Sequence, residues 1–242
     1  MKETATELAG KVAIVTGGSG AIGRVILDTF EQAGARAVSL DLSEPGDKRA
    51  GMKCDIREES SVVAAVQSVY KAQGRLDFVV HAAGISRDSV IWKMSAENWD
   101  SVQAVNLRGA FLLLRHSIPL LRHAPGGRIV LIGSINGSRG KFGTSAYSAS
   151  KAGLIGLAKS IAREVGRFGI RVNVVEPGWV RTPLTEVVPQ AVKDAALGES
   201  LLGTFVEPAD VAASVLFLCG PGAAHITGQI LRVDGGQYLG GT

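Results

Sequence analysis

Residues 12–23 read Val12-Ala13-Ile14-Val15-Thr16-Gly17-Gly18-Ser19-Gly20-Ala21-Ile22-Gly23, and this stretch decides the fold. Val12 to Val15 is a short apolar run suited to a strand buried on both faces. Glycines end it, and Ile22 to Ala33 follows with helical spacing, stopped by Gly34. Gly18, Gly20 and Gly23 satisfy G-x-G-x-x-G at a strand-to-helix turn. Glycine there lets the backbone turn tightly and leaves room for a pyrophosphate against the helix's free N–H groups. Two other readings of the turn fail on single residues. A P-loop needs Lys and Ser/Thr where Arg24 and Val25 stand, and a nucleophile elbow needs Gly where Ala21 stands.

The same alternation continues along the chain. Strands are expected at 37–40, 52–54, 76–80, 128–132, 171–175 and 229–233. Helices are expected at Glu58–Gln73, Trp99–Leu121, Tyr147–Val165 and Pro208–Leu218, with Gly74 stopping the first of these. This predicts one doubly wound α/β Rossmann domain over residues 1–242, with a mostly parallel seven-stranded sheet and helices on both faces. The stretch from Thr182 to Val206 has no strand pattern and carries Pro183, Pro189, Gly198 and Gly203. It is expected to form loops and short helices near the ligand crevice as a substrate lid, the alternative being an ordinary surface excursion.

Composition bounds the rest. A chain of 242 residues that is 46% hydrophobic and 20% charged, with mean hydropathy +0.21, builds a core and is not disordered. Its 31 glycines follow no G-X-Y repeat, which excludes collagen. A net charge of +4 and a pI of about 9.2 permit anionic partners, but Lys and Arg are scattered, so nucleic acid is not expected. Cys54 and Cys219 make no C-x-x-C and no disulfide framework, as in a reducing, cytosolic setting. Met1 to Gly10 does not read as a signal peptide, and Val211 to Cys219 is too short to span a bilayer. The expectation is a soluble cytoplasmic protein with no membrane partner. His81, His116, His123 and His225 show no metal-ligand spacing, so no metal is expected. Trp92, Trp99 and Trp179 read as core or rim packing.

Two further features carry chemistry. Asp41 ends the second strand, where a carboxylate accepts hydrogen bonds from an adenosine ribose diol and repels a 2′-phosphate. Leu42 and Ser43 follow it rather than Arg or Lys, so NAD is favoured over NADP. Tyr147 and Lys151 stand at i and i+4 on one helix face. A neighbouring ammonium is expected to lower the phenol pKa and make proton exchange with an alcohol or carbonyl feasible.

Together these residues resemble the short-chain dehydrogenase/reductase family nearly end to end. Thr16 to Gly23, with Gly17, Ser19, Gly20, Ile22 and Gly23, resembles its cofactor-binding signature, with Ala21 where many members have glycine. Asp55-Ile56 resembles its adenine-contacting position, and His81-Ala82-Ala83-Gly84 its N-A-A-G element with His81 in place of the first Asn. Pro177-Gly178 and Thr182 resemble the element holding the nicotinamide end. The resemblance implies that Ser134 polarises the substrate and Tyr147 is the proton donor. Lys151 would tune Tyr147 and bind the nicotinamide ribose, while Asn106 serves a structural and proton-relay role. His81 is read as a substitute for the asparagine that ties neighbouring strands, in preference to a pH-sensitive group beside the cofactor.

Ala83 to Asp88, Met94, Glu97 to Asp100, and Ile226 to Gly236 are similar to the 3-oxoacyl-[acyl-carrier-protein] reductase branch. That similarity implies a 3-oxoacyl thioester on acyl carrier protein or coenzyme A, with Arg122, Arg128 and Arg167 as basic candidates near the entrance. Asp41 departs from the branch's usual NADPH preference, and Thr204 stands where many of its members have Arg. The alternatives are an NAD-dependent secondary or cyclic alcohol dehydrogenase and, from another class, a non-catalytic dinucleotide-sensing scaffold. The family also implies a homotetramer built on the helices containing Trp99–Leu121 and Tyr147–Val165, together with the C-terminal segment.

Overall fold

In the computed structural model, which describes residues 7–43, 50–124 and 126–240, seven strands form one sheet. They are β1 (Val12–Thr16), β2 (Arg36–Asp41), β3 (Gly51–Lys53), β4 (Phe78–His81), β5 (Arg128–Ile132), β6 (Arg171–Pro177) and β7 (Ile230–Val233). Every pairing is parallel, in the order β3-β2-β1-β4-β5-β6-β7. Parallel neighbours need a crossover, and helices supply it. These are α1 (Ala21–Gln32), α2 (Glu59–Gln73), α3 (Ala96–Gln103), α4 (Gly109–Leu121), α5 (Ile135–Arg139), α6 (Ser145–Val165), α7 (Pro183–Glu186), α8 (Gln190–Gly198) and α9 (Pro208–Cys219).

Strand side chains alternate between two cores. Val12, Ile14, Val79, Ile129, Leu131, Val172 and Val174 join the core built with α2, α4 and α6. Ala13, Val15, Phe78, Val80, Val130, Ile132 and Val175 join the one built with α1 and α9. Burial on both faces explains why the strands read as continuous apolar runs rather than as alternating ones. Strand order reverses at β1, whose neighbours are β2 and β4, and a crevice opens there along the C-terminal edge.

The expected long helix 99–121 differs in form. Helix α3 starts earlier, capped by the Ser95 hydroxyl, which accepts from Asn98 N at 3.2 Å. A π-helical turn over Ala104–Arg108 then separates α3 from α4. The third strand lies one residue earlier than expected, and Leu76 and Asp77 precede β4 instead of belonging to it. Between β6 and α9 the chain leaves the sheet through α7 and α8 and returns to where it left. Val180 bridges Val206, Arg181 N donates to Val206 O at 2.8 Å, and Arg181 pairs with Glu207 at 2.7 Å. Residues 1–6 of the opening segment Met1–Gly10 lie outside the described residues. Among those described, no helix is long and apolar enough to cross a membrane, and no cluster of His, Cys, Asp or Glu is placed to hold a metal ion.

Asp77 locks β1 to β4 at the opposite, N-terminal edge. Its carboxylate accepts from Val12 N at 3.0 Å, from Lys11 at 3.2 Å and from Arg75 at 2.7 and 2.8 Å. Burial works to raise its pKa, but Arg75, the Val12 amide and Lys11 outweigh burial and hold the carboxyl below its ordinary range. Its contribution to stability is therefore complete above the unfolded-state value near ~3.9 and is lost as pH falls through the lower folded-state value. Asp77→Ala is expected to cost about 2 kcal/mol at neutral pH, the half-exposed cations keeping this below the cost of breaking a fully buried pair. Urea denaturation of both proteins at pH 7 checks it, and the difference should shrink on acidification.

Candidate active site

The turn after β1 is built from backbone constraints. Gly17 has φ +69°, and a Cβ there would lie 2.7 Å from the Ala83 backbone. A Cβ on Gly23 would lie 2.2 Å from the Gly17 carbonyl oxygen. Glycine at both positions lets the turn fold under the start of α1. No side chain caps α1, and its first turn holds no acid, so its amide end presents donors and a positive dipole to the crevice. Asp41 closes the turn on the β2 side, accepting from Ser19 N at 2.9 Å and from Leu42 N at 2.7 Å. This donor set, with a carboxylate beside it, fits a dinucleotide.

Other predicted cofactor residues lie along the same edge. The Asp55 carboxylate is clamped by Arg57 Nε and Nη2 at 2.9 and 2.6 Å, while the Ile56 side chain is buried beside Gly109. Ala83 N donates to the Thr16 hydroxyl at 3.3 Å. A Cβ on Gly84 would sit 3.3 Å from Lys151 Nζ, which places that backbone directly at the ammonium. Pro177 ends β6, and Gly178 packs against Asp234 and Gln237. Thr182 caps α7 in a reciprocal pair with Thr185.

Ser134 follows β5 and caps α5, its hydroxyl oxygen accepting from Asn136 N at 3.2 Å. The hydroxyl hydrogen is thereby left to point elsewhere. Tyr147 and Lys151 occupy one face of α6, the Lys151 ammonium lying 5.6 Å from the phenol ring centroid. Lys151 is buried and donates to the Ile132 carbonyl at 2.8 Å. Its burial pushes the ammonium pKa down to about 8. The phenol departs from expectation. Burial pushes its pKa up, the Ser134 hydroxyl pulls it down, and the Asp88 carboxylate adds to the rise. The net is an upward shift, because desolvation of the phenolate outweighs the neighbouring hydrogen bond.

Asn106 sits in the π-helical turn, fully buried. Its side chain accepts from Ile85 N at 2.8 Å and donates to Ile85 O at 3.0 Å and to Ser150 Oγ at 2.9 Å. The amide thus braces the loop after β4 against α6. His81 is also fully buried, with Nδ1 3.0 Å from the Thr16 hydroxyl and Nε2 3.1 Å from the Asn106 carbonyl. Burial, then the charge of Lys151, drives its pKa down to about 3 against the opposing pull of the Asn106 carbonyl.

Several expectations are corrected by the geometry. Arg122, Arg128 and Arg167 stand at the N-terminal edge of the sheet, across the protein from the crevice. Arg128 is buried at the start of β5, while Arg122 and Arg167 stack on Phe168 at 4.0 and 4.7 Å. Trp92 is 74% exposed rather than packed, and Trp179 stacks on Phe205 with ring centroids 5.8 Å apart. Sequence reasoning also missed α5, whose Gly137 leaves only 2.8 Å between a would-be Cβ and the Lys151 backbone. Ser138 and Arg232 both engage the buried Glu176, at 2.7 and 3.2 Å, and Arg139 pairs with Glu199 at 2.7 Å. A five-residue helix containing glycine carries no periodic signal that would have revealed these contacts.

Comparison with known proteins adds an independent line. A family model described as enoyl-(acyl carrier protein) reductase matches residues 17–237. A 3-oxoacyl-[acyl-carrier-protein] reductase of Vibrio cholerae is 35% identical over 241 residues, covering 96% of this chain and 99% of the relative. One from Thermotoga maritima is 36% identical over 245 residues, with the same shares. The crystal structure of gox2181 superposes with TM-score 0.91 at 32% identity, covering 96% of this chain and 97% of that one. Thermoplasma acidophilum aldohexose dehydrogenase, ligand-free, gives TM-score 0.91 at 32% identity over 97% and 96% of the chains.

The depressed pKa of Lys151 has a direct consequence. The ammonium is charged below about 8 and neutral above it, so an NMR titration of the Lys151 side chain should show a midpoint near 8. A midpoint above 10, the range of an exposed lysine, would contradict the burial described here.

Proposed function

The chain belongs to the short-chain dehydrogenase/reductase family of oxidoreductases, and from that premise we propose that it moves a hydride between NAD(H) and a carbonyl or secondary alcohol, with a 3-oxoacyl thioester as the favoured substrate. The observation that carries this reading is the meeting of Ser134, just past the C-terminal end of β5, with Tyr147 and Lys151 in the first two turns of α6, beside Gly84.

When bound, a nicotinamide dinucleotide supplies the hydride. The amide end of α1 and Gly17, Ser19, Gly20, Ile22 and Gly23 would hold its pyrophosphate, and Asp41 would take the adenosine ribose hydroxyls. Asp55 and Ile56 would face the adenine, Ala83 and Gly84 would line the path between the two nucleotides, and Pro177, Gly178 and Thr182 would hold the nicotinamide end. Ser134 donates its hydroxyl hydrogen to the substrate carbonyl oxygen, and Tyr147 delivers its phenolic proton to the same atom as the alcohol forms. A phenol pushed upward in pKa stays protonated at neutral pH, which is the form that reduction consumes. Lys151 spends one of its three donors on Ile132 and directs others toward the nicotinamide ribose and the phenol. Asn106 is assigned a bracing role for Ile85 and α6 along with its place in the proton relay.

The segment at about 182–206 is assigned as the substrate lid of a single catalytic domain spanning residues 1–242. An exposed, largely apolar groove lined by Leu107, Phe111, Gly153, Gly156 and Leu157 supports assembly with copies of the same chain, read as a homotetramer in the cytoplasm. A substrate on acyl carrier protein accords with what the relatives' names state, and coenzyme A is proposed as the alternative carrier of the same thioester. The second reading, an NAD-dependent secondary or cyclic alcohol dehydrogenase, is favoured by Asp41 and by the likeness to aldohexose dehydrogenase.

Tyr147→Phe is expected to lower kcat about a thousandfold while NADH affinity changes little. Steady-state assay with acetoacetyl-CoA alongside fluorescence titration of NADH reads both, and full activity in the variant rejects the assignment. The unmodified protein should prefer NADH to NADPH. Asp41→Ser should raise kcat/KM for NADPH about tenfold by removing the charge that repels a 2′-phosphate. Equal use of the two cofactors by the unmodified protein would reject the role given to Asp41.

A further inference from the structure

His81 connects two parts of the site, the end of β1 before the glycine turn and the π-helical turn that carries Asn106. The Asn106 carbonyl only accepts, so the 3.1 Å contact requires His81 Nε2 to carry the hydrogen. Nδ1 is then bare and accepts from the Thr16 hydroxyl at 3.0 Å, and the Thr16 oxygen in turn accepts from Ala83 N at 3.3 Å. Beyond Asn106 the chain of contacts continues through its amide to Ser150 Oγ at 2.9 Å, and from Ser150 to the Tyr147 carbonyl at 2.7 Å. Each hydrogen in this series has one direction that satisfies both partners. At one end stands Thr16, the residue before the glycine turn. At the other stand the first two turns of α6, which carry Tyr147 and Lys151.

We propose that His81, held in its Nε2–H tautomer, is a positioning residue that fixes the Asn106 carbonyl, and through it the start of α6, relative to the dinucleotide turn. The proposal rests on the oxidoreductase reading for its kinetic consequences but not for its geometry. The site is fully buried, so loss of the imidazole leaves a carbonyl and a hydroxyl short of partners where water does not replace them. The Asn106 carbonyl lies in a π-helical turn, and His81 ties it from outside that helix. Neutrality is part of the arrangement. A second ring hydrogen on Nδ1 would confront the Thr16 hydroxyl hydrogen, and the imidazolium charge would face Lys151, both of which oppose it.

Three readouts test this. Nitrogen-15 NMR of histidine-labelled protein is expected to show His81 with Nε2 protonated and Nδ1 bare from about pH 5 to about pH 9. The opposite tautomer, or protonation within that range, overturns the proposal. His81→Leu is expected to lower kcat at saturating NADH about tenfold per folded molecule and to weaken NADH binding, measured by fluorescence titration. His81→Gln carries an acceptor and a donor on one flat group that reaches both partners, and should restore both quantities to within about threefold. A role limited to holding strands together would lower the thermal midpoint of the leucine variant and leave kcat and NADH affinity untouched. That result, or a glutamine variant no better than leucine, overturns the proposal. Should His81→Leu fail to fold, Thr16→Val, which removes the partner of Nδ1 together with the acceptor of Ala83 N, is read by the same criteria, with Thr16→Ser, which keeps the hydroxyl, as its control. Absence of turnover in the unmodified protein rejects the oxidoreductase reading alone, and the tautomer and NADH affinity still decide the role of His81.

Discussion

All seven strands point the same way, and the site depends on that single constraint. A parallel sheet gathers every strand's C-terminal end on one edge, so Thr16, Asp41, His81, Ser134 and Pro177, distant in sequence, come to lie along one line. Order reverses at β1, so the connections leaving β1 and β4 pull apart and open the crevice between them. The opposite edge takes the structural chemistry: Asp77 with Arg75 and Lys11, and the arginines around Phe168. Function and anchorage are therefore divided between the two ends of the same strands.

Within the crevice, burial drives three ionisable groups in the direction of neutrality. It raises the Tyr147 phenol, lowers the Lys151 ammonium and lowers the His81 imidazole. A charge on any one of them is costly, so at neutral pH the phenol and the imidazole are held more firmly in their neutral forms than in water, and only the lysine is brought closer to its titration point. Lysine near its titration point makes the cation an adjustable component rather than a fixed one. The neutral histidine avoids a second positive charge beside it while still using both ring nitrogens.

How much of this was legible in the sequence depended on whether the signal was local. The turn at Gly17 to Gly23 was readable because its geometry forbids side chains, and the strand before it because both faces are apolar. Tyr147 and Lys151 share a helix face by spacing alone. The π-helical turn at Ala104–Arg108 was not readable, since Val105-Asn106-Leu107 keeps helical spacing through the widened ladder. The direction of the Tyr147 shift depended on desolvation and on Asp88, a loop residue brought near by folding. Arg122, Arg128 and Arg167 were misplaced for a related reason. Charge is visible in a sequence, but the end of the sheet it occupies is set by which terminus of which element carries it.

The narrow neck of the segment between β6 and α9 has a consequence for how such a protein diversifies. Val180 bridges Val206, and Arg181 pairs with Glu207, so the chain returns to its point of departure before α9 begins. The neck fixes where β6 leaves off and α9 begins, so a change of length inside it need not alter the register of β6 or the seating of α9. The strand ends that carry the proposed cofactor and proton-transfer residues lie outside that closed loop, so it can vary in length and chemistry as a cassette on an unaltered frame.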